Sequence, residues 1–571
     1  MSLSLPAAVG IFAVAIANSG LSTSSSTPEP IKVSAAAAPV MTSITVDPDY
    51  EINVWADQSI FTPLGVAFNT PRAITFDDSG GAYVSVRGTI WYLEDRLGDC
   101  DPTMTRPCQL TVPDGVADPN PTLVIDNTGS ILGMGPYAGL LWHQGALYAS
   151  RGIANPNDPP THSHNEILKF VDLDADGVVD DADNDGVLEA ADVLITTDAT
   201  DFGHTIGALL ATPDGTRILV SKGSYQNTSL GPFGADPCSS ALTCSASLLA
   251  FDLDGSNLTV FAEGVRNTVE PQFGIDDQLF GADNGPNGTG TSPPEEINHI
   301  IEGRDYGFPS MLAGGPQPVG ATPIGFLDAH VSPAGSAAYS YPELVQFPGQ
   351  RDQIFQSLYG AFNPALMSPL GQSVLRLNIA ETSPGQYAAT PELPPDLITG
   401  ATNAFAYGFE HPVDVTTNRR GDLFIVDMQD DGYAPFDNTG VIYRVIYKDL
   451  EIPVPDIIVE QDFDIILRGS PFAYYRLFIT VDPDPNYSLD FGLNARNGTS
   501  TLSASVQVKM GILNASGKRT ITAKVMLPAP GLVGHEIRFQ LFRVDFDPVT
   551  QSFPINDFFI GRDETKMILA Q

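Results

Sequence analysis

One hairpin pattern recurs along most of this chain and limits what it can fold into. A short apolar strand leads into a turn built on Gly or Asp, and a second apolar strand follows. The pattern appears in Ala73-Ile-Thr-Phe-Asp-Asp-Ser-Gly-Gly-Ala-Tyr-Val-Ser-Val86, in Gly139-Leu-Leu-Trp-His-Gln-Gly-Ala-Leu-Tyr-Ala-Ser150 and in Ala208-Leu-Leu-Ala-Thr-Pro-Asp-Gly-Thr-Arg-Ile-Leu-Val-Ser221. It returns in Gln272–Ala282, in a degenerate form over Ala337–Phe362, and in Val413–Asp427. The turns fall near Gly81, Gly145, Gly215, Gln278, Asp352 and Gly421, at separations of 64, 70, 63, 74 and 69 residues. A supersecondary unit repeated at one spacing marks a radial or solenoid array. Four-stranded blades around a channel are the usual way to arrange such a unit. A third strand follows in Gly88–Glu94, Ser247–Asp252 and Gly440–Ile446. The chain therefore predicts an all-β fold with a six-bladed β-propeller over residues 45–450.

The length agrees: 571 residues exceed what one hydrophobic core organises unless a unit repeats around an axis. After Lys448 comes Pro453-Val-Pro-Asp456, which reads as a linker, and then strand-like alternation in Ser503–Ile512 and Ile537–Val544. Residues 451–571 are read as an accessory β-sandwich. Residues 1–24 hold the apolar run Pro6–Ala17, too short to span a bilayer and sized for a signal peptide, although no Lys or Arg precedes it. Residues 25–44 are rich in Ser, Thr, Ala and Pro and read as a flexible leader. No other stretch predicts a membrane span. Two close cysteine pairs, Cys100/Cys108 and Cys238/Cys244, suit local disulfides. Sequons stand at Asn227, Asn257, Asn287, Asn486, Asn497 and Asn514. Together these features predict an exported, extracellular protein. With 28 basic and 68 acidic residues the formal charge is −40, which repels phosphate backbones and argues against a nucleic-acid partner.

Three segments carry candidate chemistry. His204 opens the run Gly203-His-Thr-Ile-Gly-Ala-Leu-Leu, just before a blade's first strand. An imidazole there suits a base that takes a hydroxyl proton, or simply a turn hydrogen bond. Glu263-Gly-Val-Arg-Asn-Thr268 opens the fourth repeat: Arg266 offers a planar fork for a carboxylate and Asn267 an amide. Gly285-Pro286 reads as a tight turn presenting carbonyls, which are hard ligands for calcium.

Taken in order, these motifs resemble the glucose/sorbosone dehydrogenase family of soluble quinoproteins. The resemblance runs from His204 through Gly215, Gly264–Asn267, Gly285–Pro309 and Ala329–Gly335 to His411-Pro-Val-Asp-Val and Gly440–Arg444. It implies a propeller whose channel mouth holds pyrroloquinoline quinone (PQQ) and Ca2+. It implies His204 as the base, and Arg266 and Asn267 as quinone contacts joined by His330 and Arg72. It implies Gly285 and Pro286 as calcium ligands, a sugar or polyol substrate, and an external electron acceptor. The chain departs from the family in Thr205-Ile-Gly-Ala, which lacks an Arg after the His, and in Gly360-Ala-Phe-Asn-Pro364. It also lacks evident quinone-binding cations in the last two blades. Two other readings stay open: a calcium-dependent propeller lactonase, and a non-catalytic carbohydrate-binding or adhesion propeller. The particular sugar, the acceptor and the oligomeric state are not legible.

Independently of the family, Asp172-Leu-Asp-Ala-Asp-Gly-Val-Val-Asp-Asp-Ala-Asp-Asn-Asp185 interleaves two Asp-x-Asp-x-Asp-Gly frames. Alternating carboxylates with a Gly turn suit a structural calcium held by Asp172, Asp174, Asp176, Asp180, Asp181, Asp183 and Asp185, unlike a standard EF-hand. A solvated acidic loop is the plainer alternative.

Overall fold

In the computed structural model the described residues lie between 44 and 569. Residues 1–43, 95–116, 127–136, 155–161, 182–187, 199–203, 226–237, 287–292, 310–317, 340–352, 361–370, 395–401, 429–439, 482–504, 525–535, 545–558 and some shorter stretches are outside them. The expected signal peptide, the leader to residue 43 and the Cys100/Cys108 pair therefore fall outside the described residues.

Six sheets, antiparallel but for one edge strand, follow one another along the chain, each beginning with a predicted hairpin. Blade one comprises Pro71–Phe76, Ala82–Val86, Thr89–Leu93 and Thr122–Asp126. Blade two comprises Tyr137–His143, Ala146–Ala154, His162–Val171 and Val193–Asp198. Blade three comprises Ile206–Ala211, Arg217–Lys222, Ser247–Asp252 and Thr259–Glu263, with Arg304–Asp305 added in parallel at its edge. Blade four comprises Gln272–Phe273, Leu279–Asp283, Glu295–Ile300 and Gly325–Leu327. Blade five comprises Pro333–Ala338, Ile354–Leu358, Ser373–Arg376 and Ala406–Tyr407, with Thr45–Val46 added at its edge. Blade six takes Pro412–Thr417, Leu423–Asp427 and Val441–Tyr447 from the end of the repeat and Tyr50–Ala56 from its beginning. The fold is thus a six-bladed propeller, closed by an N-terminal strand that completes the last blade.

The turns form because their side chains take over the strand ends' orphan amides. Asp77 Oδ1 accepts the amides of Ser79, Gly80 and Gly81 at 2.7, 2.7 and 2.9 Å, and its Oδ2 accepts the Tyr92 hydroxyl at 2.9 Å. In blade three Gly215, at φ +69°, closes the corresponding turn. The second strands Ala82–Val86, Ile354–Leu358 and Leu423–Asp427 are buried at every position because neighbouring blades cover both faces.

Six apolar clusters lie between consecutive blades. One joins Leu219, Leu248 and Phe261 of blade three to Leu279 and Ile300 of blade four. Another joins Trp91 and Ile74 of blade one to Trp55, Phe424 and Ile442 of blade six, which seals the ring. Each fully buried side chain of this kind contributes roughly 1.5–3 kcal/mol. Polar contacts circle the inner strands as well: Trp142 N to Thr75 Oγ1 at 3.1 Å, Ser150 Oγ to Gly207 O at 2.6 Å and Ser221 Oγ to Val269 O at 2.7 Å. The circuit continues with Gln272 Nε2 to Ser336 O at 2.7 Å and Ile74 N to Asp414 Oδ2 at 2.8 Å.

Every inner strand runs in the same sense, so all six begin at one face. In five blades the pairing register slips at that start, between Pro71/Ala73, Tyr137/Gly139, Ile206/Leu209, Pro333/Ser336 and Pro412/Asp414. Such bulges re-aim the first side chains of a strand. Arg72 sits in the first of them.

Beyond the propeller lie a three-stranded sheet (Leu450–Glu451, Asp462–Arg468, Lys518–Lys524) and a five-stranded one that includes Tyr474–Val481, Ser505–Ile512, Glu536–Val544 and Phe559–Leu569. Leu450, Phe463, Ile465 and Leu467 of the first share a buried cluster with Tyr475, Leu477 and Leu541 of the second. They occupy the region expected to be an accessory domain. Asp49 of the propeller receives Arg468 Nε at 3.1 Å and Lys518 Nζ at 2.7 Å.

Candidate active site

The corner that opens blade four is built by Asp283, at the end of that blade's second strand. Its Oδ2 accepts the Arg266 amide at 2.8 Å and its Oδ1 the Asn267 amide at 2.7 Å, with the Thr268 hydroxyl at 3.1 Å. Burial pushes the Asp283 carboxyl up, and the two amides and the Arg266 charge hold it down. Gly264, at φ +71°, lets the chain turn into the corner; a Cβ there would come within 2.3 Å of Asp305 Oδ1 and 2.5 Å of Gly307 N. The Tyr306 and Phe308 amides donate to Glu263 O and Gly264 O at 2.8 and 3.1 Å. The Tyr-Gly-aromatic-Pro segment thereby braces the Arg-Asn segment from outside.

The Arg266 side chain is buried. One terminal nitrogen donates to Asn284 O at 2.8 Å and the other lies 3.1 Å from His204 Nε2. A guanidinium has only donors, so His204 Nε2 must present its lone pair, and the ring proton sits on Nδ1. Nδ1 lies 3.3 Å from Ser224 O and 3.0 Å from Ser224 Oγ. The fold thus fixes the tautomer in which Nε2 is the basic atom. Gly223 allows His204 and Asn267 to meet, since a Cβ there would stand 2.7 Å from Asn267 Oδ1 and 2.7 Å from His204 Cβ. Asn284 Nδ2 donates to Asn267 O at 3.0 Å and to Pro333 O at 2.8 Å, linking this corner to blade five.

Gly285 and Pro286 follow directly in irregular backbone, without the tight turn that the sequence suggests. The Gly285 amide is held by the Glu295 carboxylate. Burial, and then the nearby Asp283, pushes the adjacent Glu296 up to about 7.

Arg72 lies at the start of the blade-one inner strand. Burial pulls its guanidinium below the usual arginine range, and Tyr359 is the ionisable neighbour that opposes the shift. Tyr359 stacks on His411 with ring centroids 4.3 Å apart and planes at 14°, and His411 Nδ1 lies 3.1 Å from Tyr359 O. Arg72, Tyr359 and His411 therefore form a second group on the same face, from blades one, five and six. His330 lies outside the described residues.

Sequence reading missed that blade six repeats the blade-four corner. Gly408-Phe-Glu-His-Pro-Val-Asp414 matches Gly264-Val-Arg-Asn-Thr-Val-Glu270 position for position, with both glycines at positive φ. Asp427 Oδ2 and Oδ1 accept the Glu410 and His411 amides at 3.1 and 2.7 Å, as Asp283 does for Arg266 and Asn267. In both corners the first amide lies 17 residues before its aspartate. That shared interval was the available signal. Glu410 thus stands where blade four carries Arg266.

The acidic loop lies far along the chain, between the third and fourth strands of blade two. Asp172, Asp174 and Asp176 are exposed, and their ligand atoms lie within 4.8 Å of one another. Asp172 accepts the Ala175 and Gly177 amides at 2.6 and 3.0 Å, Asp174 the Asp176 amide at 3.1 Å and Asp176 the Val178 amide at 2.8 Å. Asp180 Oδ2 accepts the Leu173 amide at 2.7 Å. Asp181 is buried, and Asp183 and Asp185 are outside the described residues.

No family model matches the chain, and no curated protein matches it. Among solved structures, it is similar to an oxidoreductase (glucose dehydrogenase) of Thermus thermophilus at 17% identity and TM-score 0.46, covering 70% of this chain and 100% of that one. It is similar to the PQQ-bound aldose sugar dehydrogenase of Streptomyces coelicolor at 15% identity and TM-score 0.45, covering 70% and 100%. It is also similar to the holo PQQ domain of pyranose dehydrogenase from Coprinopsis cinerea at 15% identity and TM-score 0.44, covering 71% and 97%.

Proposed function

We propose that this chain is an exported oxidoreductase that oxidises a sugar or related alcohol, with His204 Nε2 as the base that takes the hydroxyl proton. The observation that carries this reading is the convergence of His204, Arg266 and Asn267 over Gly223, with the imidazole tautomer set by Ser224. These donors fit PQQ with calcium. Arg266 and Asn267 would hold the quinone's acidic and carbonyl oxygens, the Gly285 and Pro286 carbonyls the ion, and Arg72 and His330 further edges of the ring system. When bound, this pair supplies a two-electron hydride acceptor whose carbonyl the ion polarises. The chain's own part is to release the Nε2 lone pair as Arg266 turns from it to the quinone, to orient the hydroxyl against Nε2 and to keep the proton on Nδ1 fixed at Ser224. Titrating the calcium-loaded protein with PQQ tests the reading: saturable binding that weakens in Arg266→Met is expected. Equal binding by that variant would exclude this corner as the quinone site.

The carboxylate Glu410 in the blade-six corner, where blade four has a cation, favours one second reading: a propeller that binds carbohydrate without oxidising it. The expected export draws support from the Cys238–Cys244 disulfide, which is formed. Among the described residues no helix is long and apolar enough to cross a membrane.

The blade-two loop is assigned a structural calcium on the same terms, its hard carboxylate oxygens clustering as such an ion requires. Saturation at 100-fold over Kd stabilises a folded protein by about 2.7 kcal/mol. Calcium is therefore expected to raise the melting temperature of the wild type and to lose this loop's share of the effect in Asp174→Asn/Asp176→Asn. An identical calcium response in that variant would leave the loop a solvated acidic turn.

A further inference from the structure

The matching corners of blades four and six put an acid at the same position, four residues beyond Arg266 and four beyond Glu410: Glu270 and Asp414. Blade five stands between blades four and six, yet the two carboxyls meet at neighbouring residues of its inner strand, Gly335 and Ser336. Gly335 of blade five makes room for this, since a Cβ there would lie 2.5 Å from Asp414 Cα and 2.7 Å from Asp414 Oδ1. Each carboxyl also binds a neighbouring blade. Asp414 Oδ2 accepts the Ile74 amide of blade one at 2.8 Å. Glu270 Oε2 accepts the Ser336 amide of blade five at 2.9 Å, and its Oε1 receives Gln272 Nε2 at 3.2 Å. An ionised carboxylate only accepts, so two carboxyls can hydrogen-bond each other only while they hold a proton between them.

We propose that Glu270 and Asp414 form a proton-dependent latch that ties the inner parts of blades one, four, five and six together. Below neutral pH the shared proton joins the strands. When it leaves, two adjacent carboxylates repel within the ring and the tie is lost.

The surrounding groups leave the pair to itself. From blade one the charged side chain is Arg72, whose ionisable neighbour is Tyr359. From blade four, the Asp283 charge acts on Glu296. Blade five presents Gly335 and Ser336, which do not titrate. Burial pushes both carboxyls up, and the Asp414 charge pushes Glu270 further. A carboxyl raised in the folded state contributes stability that is complete below the unfolded carboxyl range near pH 4. That contribution is lost as pH rises through the folded values. The latch thus favours mildly acidic conditions, opposite in sign to an ordinary salt-bridged carboxylate.

Glu270→Gln retains an acceptor for Ser336 and provides an N–H for Asp414 that no base removes. Thermal melts of the full-length wild type and Glu270→Gln, from pH 5 to pH 9 at constant calcium, test the proposal. The melting temperature of the variant is expected to gain on the wild type as pH rises, by about 2–4 °C. Asp414→Asn offers the same comparison from the other side, should Glu270→Gln fail to fold. Infrared difference spectra of the wild type against either variant at pH 6 are expected to show a protonated buried carboxyl band that is lost with the substitution, over the constant background of Glu296. A difference in melting temperature that is constant across pH, or no such difference band, would overturn the latch.

Discussion

Replacing His204 by alanine is expected to lower sugar-dependent electron transfer by about 10²–10⁴-fold, the usual contribution of a positioned general base. The effect should fall on kcat more than on KM, because the proton is in transit only in the transition state. His204 is half-buried, hydrogen-bonds Ser224 and Arg266, and lies outside the strands. Its removal should therefore leave the melting temperature nearly unchanged. A variant that loses activity only in proportion to lost folded protein would assign His204 a structural role. Ser224→Ala should reduce activity less, since Ser224 O still fixes the Nδ1 proton when the hydroxyl is gone.

The second large effect concerns a residue that touches no substrate. Asp283→Ala leaves the Arg266 and Asn267 amides and the Thr268 hydroxyl without their buried acceptor. Each such orphan costs about 1–3 kcal/mol, so a loss of several kcal/mol is expected in denaturant unfolding. Activity should collapse as well, because these bonds set where the Arg266 guanidinium meets His204. Blade six supplies an internal control. Asp427→Ala orphans the Glu410 and His411 amides in the same geometry and should destabilise comparably. Folded Asp427→Ala should nevertheless keep more activity than folded Asp283→Ala, and equal losses would show that the blade-four corner has no special place in the chemistry.

Much of this architecture is legible in the residues. The inner hairpins announce themselves because Asp77, Gly145 and Gly215 close turns whose chemistry is local. Blade five reads as degenerate because a long connection, in place of a tight turn, separates Pro333–Ala338 from Ile354–Leu358. The strand Tyr50–Ala56 closes blade six on Val441–Tyr447, nearly 400 residues away, and nothing local in its sequence reports that partner. The same division holds at the site. His204, Arg266 and Asn267 stand out by the order of their motifs, and the fold brings them together. Asp283 and Asp427 look like ordinary turn acids, and their function emerges only when two amides point at each. Glu270 and Asp414 carry no signal of their own in the sequence, since most carboxylates face water. Only closure of the ring sets them against each other.

The most direct test of the account is to add PQQ and calcium to the purified apo-protein and follow reduction of an artificial electron acceptor across a panel of aldoses, with His204→Ala alongside. Sugar-dependent reduction that requires both additions and is lost in the variant is the predicted result. Failure of the wild type to bind the quinone even at saturating calcium would contradict the account and leave the blade-six corner, with Glu410 in place of an arginine, as the feature that decides what this propeller does.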